Sequence, residues 1–162
     1  MMCRYVALVC IVLLATVFSS SSVANAQLAP NAPPDQPVRA TSDEQVRRME
    51  AAVAPYIEKA RKTYPEARAR YLAGLPKGET FFVTAKLTDA RGRIEVAFVR
   101  VTRVVDGKIT GRIASEIAVV HGYKEGDQYT LPEGELVDWT ISKPDGSEEG
   151  NVVGKFLDSY RP

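Results

Sequence analysis

The sequence predicts an α+β fold, in which an N-terminal helical segment packs on a strongly curved antiparallel β-sheet, a barrel-like roll. Three observations lead there. Apolar and small residues recur every three or four positions between Ser42 and Ala73. From Glu79 onward the period becomes two, with turn residues between the runs. Within the most strand-like run, Ile94 to Val105, the apolar phase moves from Ile94, Val96 and Phe98 on one face to Val99, Val101 and Val105 on the other. A strand that buries opposite faces at its two ends must bend or bulge, as strands do when a sheet curls.

The helical segment starts at Ser42-Asp43-Glu44-Gln45, where Ser42 and Gln45 have capping-box spacing and two acids suit the helix dipole. Val46, Met49, Val53, Ile57, Ala60 and Tyr64 then form one stripe. Pro55 interrupts it without shifting its phase, which predicts a kink or a second helix opening at Pro55. Pro65 opens a further helical turn to Ala73, with Glu66 and Arg70 as an i,i+4 pair and Tyr71, Leu72 and Leu75 on the apolar side. Gly74 and Pro76 end it.

In the first strand Phe81, Val83, Ala85 and Leu87 alternate with Phe82, Thr84 and Lys86, and Asp89-Ala90-Arg91-Gly92 reads as a turn. Asp106-Gly107 marks a hairpin leading into Lys108–Ala114. The short run Ile117–Val120 reads as a further strand or part of a broken one, and His121–Asp127 as a loop. Strands follow over Gln128–Leu131 and Leu136–Ser142, the latter holding the only tryptophan, Trp139. Lys143–Gly150 is an exposed loop, and Asn151–Tyr160 suits a helix or a closing strand equally.

Residues 1–26 have the form of a secretory signal peptide. Arg4 precedes an apolar run from Tyr5 to Phe18, shorter than the roughly 20 residues of a membrane-spanning helix, and Ala24 and Ala26 suit a cut after Ala26. The expected location is the periplasm, or the medium as the alternative, with no stable membrane span after cleavage. Residues 27–40 hold four of the ten prolines and read as a disordered linker, leaving 41–162 as a single domain.

The full chain of 162 residues has 21 basic and 20 acidic residues, two cysteines and one histidine. Near-neutral charge offers no footprint for nucleic acid. Cys3 and Cys10 leave with the signal peptide, so neither a disulfide nor a zinc finger is expected. No phosphate loop, dinucleotide fingerprint or metalloprotease motif occurs, and no cofactor or metal is expected.

The order of short segments resembles a known family. Ala60-Arg61-Lys62-Thr63-Tyr64-Pro65-Glu66, Phe81-Phe82-Val83-Thr84-Ala85, Gly92-Arg93-Ile94-Glu95 and Asp106-Gly107-Lys108-Ile109-Thr110-Gly111-Arg112-Ile113 are similar to the bacterial domain of unknown function 2314 (DUF2314) family. So are Gly126-Asp127, Val137-Asp138-Trp139 and Val153-Gly154-Lys155-Phe156. The chain departs at Val96-Ala97-Phe98, where the family often has histidine and tryptophan, and at Ala114-Ser115-Glu116, where an Asn-Glu pair is common. The resemblance covers residues 47 to 161 and implies fold and boundaries but no activity.

Four residues are candidate binding positions: Asp138, Trp139, His121 and Glu95. His121 lies in a loop near Ser115 and Glu116, an arrangement with a base and a hydroxyl but no required orienting group, so an exposed loop histidine is expected. Asp138 and Trp139 suit carboxylate-plus-ring recognition, yet neighbours in a strand point to opposite faces. Trp139 is therefore expected in the core, against Phe98, Val101, Met49, Val53 and Ile57, with Asp138 at the surface or bonding to a turn. Glu95, Glu116, Asp127 and Asp138 are acids near strand ends. Arg91, Arg93, Arg100, Arg103, Lys108 and Arg112 fall in one hairpin and suit an anionic partner, such as an envelope polymer or lipid head group. The expected function is a non-catalytic binding module whose partner is an envelope protein or polymer. The alternative is an envelope-acting hydrolase or transferase using His121 or loop carboxylates.

Overall fold

The structure, a computed structural model, describes residues 43–160. The expected signal peptide, the linker and the Ser42 cap lie outside them. Asp43–Ala73 form one helix, α1, of 31 residues that continues through Pro55 and Pro65. Neither proline starts a second helix. Both rings lie on the exposed side, where the carbonyls that lose a helical donor can be hydrated. The buried face of α1 is Ala60, Tyr64 and Ala67; Met49, Val53 and Ile57, earlier on the stripe, are half-buried.

Six strands follow: β1 (Thr80–Thr88), β2 (Ile94–Val105), β3 (Lys108–Ile113), β4 (Gln128–Pro132), β5 (Asp138–Ser142) and β6 (Glu148–Gly150). A second helix, α2 (Val152–Ser159), ends the described chain. The strands form one sheet in the order β4-β3-β2-β1-β5-β6, with every neighbouring pair antiparallel. The tail after Asn151 is thus helical, and part of the expected loop 143–150 pairs with β5 as an edge strand.

The expected barrel-like roll does not form. The sheet is open, with β4 and β6 as its two edges. The phase change in β2 is absorbed by a register shift between Val101 and Arg103. Thr102 and Arg103 are both exposed there, and Val104 returns to the buried face, so one extra residue keeps Val99, Val101 and Val104 in one core without curling the sheet. Val105, expected beside Val99 and Val101, is 39% exposed on the other face, as are Ile94 at 52% and Val96 at 48%.

Helix α1 covers one face, in a core that includes Tyr64, Phe81, Val83, Val99, Ile109, Trp139 and Ile141. A smaller cluster of Leu87, Ala97, Ile113 and Val120 is packed by Ile117 and Tyr123. These last residues belong to the segment between β3 and β4. Ile117–Val120, expected as a strand, is irregular there.

Candidate functional site

Two carboxylates determine the shape of the β3–β4 segment. Asp89, in the turn after β1, accepts the backbone N–H groups of Arg91 at 2.8 Å, Arg93 at 3.0 Å and His121 at 3.2 Å. It also accepts Arg93 Nε at 2.8 Å, and its side chain is 2% exposed. Burial opposes its ionisation, but the Arg93 guanidinium and the three N–H groups outweigh burial and hold the carboxyl well below the usual range. Glu95 accepts three successive N–H groups, from Ala118 at 2.9 Å, Val119 at 2.7 Å and Val120 at 3.0 Å. A carboxylate on consecutive amides replaces a ladder partner, which is why this run needs no neighbouring strand.

Glu95 and His121 therefore meet in one region, but Glu95 is engaged by the loop backbone, and His121 is exposed and reaches Asp89 through its backbone N–H. Ser115 is buried, and its hydroxyl accepts the Phe98 N–H at 2.8 Å. Glu116 is exposed, and Asp127 accepts the Lys124 N–H at 3.0 Å within its own turn. Sequence reasoning missed Asp89. The Asp-Ala-Arg spacing, in which an aspartate accepts the N–H two residues on, was the available signal.

Asp138 and Trp139 lie at the other end of β1, opposite Thr84 and Val83 respectively, and so on opposite faces of the sheet. Trp139 is 9% exposed and belongs to the main core together with Val101. Its Nε1 donates to the Ala60 carbonyl at 3.1 Å and to Thr63 Oγ1 at 3.0 Å. Four expected neighbours are corrected. Phe98 pairs with Thr84 on the face away from Trp139, and the helical residues in the core cluster of Trp139 are Ala60, Tyr64 and Ala67, with Tyr71 packed against it, rather than Met49, Val53 and Ile57.

Asp138 is not at the surface. It is 1% exposed, and its carboxylate accepts the Trp139 N–H at 2.8 Å and the Val153 N–H at 2.6 Å. Asn151 precedes α2 in the left-handed region, φ 50°, and makes no side-chain cap. Asp138 thus caps α2 from β5, placing negative charge at the helix N-terminus. Burial pushes its carboxyl up to about 6, against the opposing pull of the Val153, Trp139 and Gly154 N–H groups.

The face of β2–β4 turned away from α1 is different in kind. Arg100 lies directly opposite Arg112, and Arg112 opposite Gln128; Arg103 lies opposite Thr110, and Thr110 opposite Thr130; Lys108 lies opposite Val105. Arg100, Arg103, Lys108 and Arg112 are all exposed, and among the described residues none has a carboxylate within ion-pair distance. Arg112 donates instead to the Gly126 carbonyl at 2.9 Å. A hollow of about 720 Å³ on this face is lined by Arg103, Lys108, Thr110, Gln128 and Thr130, with Asp106 of the hairpin turn also lining it. Four of the six hairpin cations are thus gathered on one surface, whereas Arg93 is engaged by Asp89.

Among the described residues no group of three or more His, Cys, Asp or Glu is placed to hold a metal ion, and no helix is long and apolar enough to cross a membrane. No family model, curated protein or solved structure matches the chain.

Proposed function

We propose that this protein is an exported, non-catalytic binding module of the cell envelope, and that it engages an anionic partner through the open face of β2–β4. The cross-strand pair Arg100–Arg112 carries the reading. Like charges directly opposite one another destabilise a sheet, and among the described residues no carboxylate lies within ion-pair distance of either guanidinium. An anion seated between the guanidiniums removes that repulsion and gains charge-assisted hydrogen bonds. The carboxylates named from the sequence support the same reading from the other side, because Glu95 and Asp138 are engaged by backbone amides that shape the fold.

Retention on immobilised dextran sulfate tests it. The processed protein is expected to bind at low ionic strength and elute with salt, and Arg100→Glu/Arg112→Glu to flow through while unfolding at an unchanged temperature. Flow-through of the unaltered protein overturns the anionic-partner reading. A reproducible hydrolase or transferase activity lost on His121→Ala overturns the non-catalytic one. Export is tested by mass spectrometry of the mature chain, expected to begin at Gln27; a retained Met1 refutes it.

A further inference from the structure

We infer that the anionic partner is the surface of an anionic phospholipid bilayer, a step that rests on the binding face proposed above. The cations of that face share it with Ile94, Val96 and Val105, which are 52%, 48% and 39% exposed, whereas Phe98 is half-buried against Phe82. Along the outer side of β2 the order is Ile94, Val96, Phe98, Arg100, Arg103, Val105. Ile94 and Val105 stand at the two ends of the strand, about 35 Å apart for twelve extended residues. A hydrated linear polymer offers charge to the arginines but nothing to half-exposed isoleucine and valine. A bilayer interface offers both, with phosphates at the level of the cations and the acyl boundary just beneath.

The lining of the hollow fits the same partner. Beside Arg103 and Lys108, its hydroxyl and amide groups, Thr110, Thr130 and Gln128, are hydrogen-bonding partners for a head-group phosphodiester. With apolar side chains at both ends of β2 and cations between, the strand is expected to lie along the membrane plane.

Vesicle flotation tests the inference. The processed protein is mixed with vesicles of equal phosphatidylglycerol and phosphatidylcholine, or of phosphatidylcholine alone. It is expected to float with the first and not the second, and to be released by salt. Arg100→Gln/Arg112→Gln is expected to weaken partitioning by about thirtyfold, from roughly one kcal/mol per surface cation. Ile94→Ser/Val96→Ser is expected to weaken flotation while leaving dextran sulfate retention unchanged, and that retention also reports that the variant is folded.

Retention on dextran sulfate without flotation assigns the face to a soluble polyanion and overturns the lipid inference alone. Equal flotation with both vesicles, or flotation indifferent to Ile94→Ser/Val96→Ser, overturns it too. Loss of both flotation and retention in the unaltered protein removes the proposed binding face along with it. A concentration-dependent dimer dissolved by Arg100→Glu/Arg112→Glu gives the face to a second copy, which also overturns the inference.

Discussion

Asp138→Asn separates the two forces on the buried carboxylate. Its carboxyl is pushed up to about 6 from an ordinary value of 3.8, by burial that three N–H groups only partly offset. The folded state thus holds this proton more tightly than the unfolded chain does. The stability that comes with protonation is complete below the unfolded value, near 3.8, and is lost as pH rises through about 6. A rise of roughly two pH units, at about 1.4 kcal/mol each, is worth on the order of 3 kcal/mol. Both carboxylate oxygens accept N–H donors, one from Trp139 and one from Val153. An asparagine amide accepts through only one atom, so Asp138→Asn leaves a buried donor unpaired and costs about 1–3 kcal/mol where Asp138 is protonated. Toward about pH 8 the native protein has a buried charge that its N–H donors only partly compensate, and the variant has none. The cost of the substitution is therefore expected to shrink by roughly 2–3 kcal/mol between about pH 4 and pH 8. Urea unfolding followed through Trp139 fluorescence measures it, and the difference between variant and native protein cancels other titrating carboxylates such as Asp89. A cost that grows with pH would mean that the amides and the α2 dipole outweigh burial, and would refute the reasoning.

Trp139→Ala is expected to cost about 3–5 kcal/mol in urea unfolding followed by far-ultraviolet circular dichroism, because it empties a core position and removes the donor to Ala60 and Thr63; near-native stability would show the ring is not core. Glu95→Gln is expected to cost about 1–3 kcal/mol and to speed amide exchange at Ala118, Val119 and Val120 well above the rest of the sheet, whereas unchanged exchange there would mean that the loop holds itself. Gly150→Ala is expected to cost more than about 1 kcal/mol in thermal unfolding, since φ is +75° and a Cβ would meet the Trp139 carbonyl and lie 2.7 Å from its ring; an unchanged melting temperature would refute the packing described for β6.

Much of the fold is legible locally. The alternation of Phe81, Val83, Ala85 and Leu87 and the turn residues around it predict β1 and β2 closely, because strand faces follow from period two alone. The same rule correctly places Asp138 and Trp139 on opposite faces. The helical stripe of α1 is equally legible, although its prolines suggest breaks that the exposed side of a long helix does not require.

What local pattern did not reveal depends on partners distant in the chain. Ile117–Val120 has strand composition, but its amides are taken by a carboxylate 23 to 25 residues away. Asp138 reads as a surface acid or one bonding to a turn, and only the fold brings the N-terminus of α2 onto its carboxyl. The moving apolar phase of β2 shows that something must give, yet either a bulge or a curl satisfies it.

The sequence by itself determined the order and period of α1 and of β1 to β5, the α+β class and the opposed faces of those strands, since these follow from neighbours within a few residues. Only the tertiary structure decided that the sheet stays open, that Asp89 and Glu95 hold the β3–β4 segment, and that Arg100, Arg103, Lys108 and Arg112 share one uncovered face. The physical reason is register: which side chains stand together across strands is set by pairing and by one bulge between Val101 and Arg103, and a shift of a single residue would send every one of them to the other side.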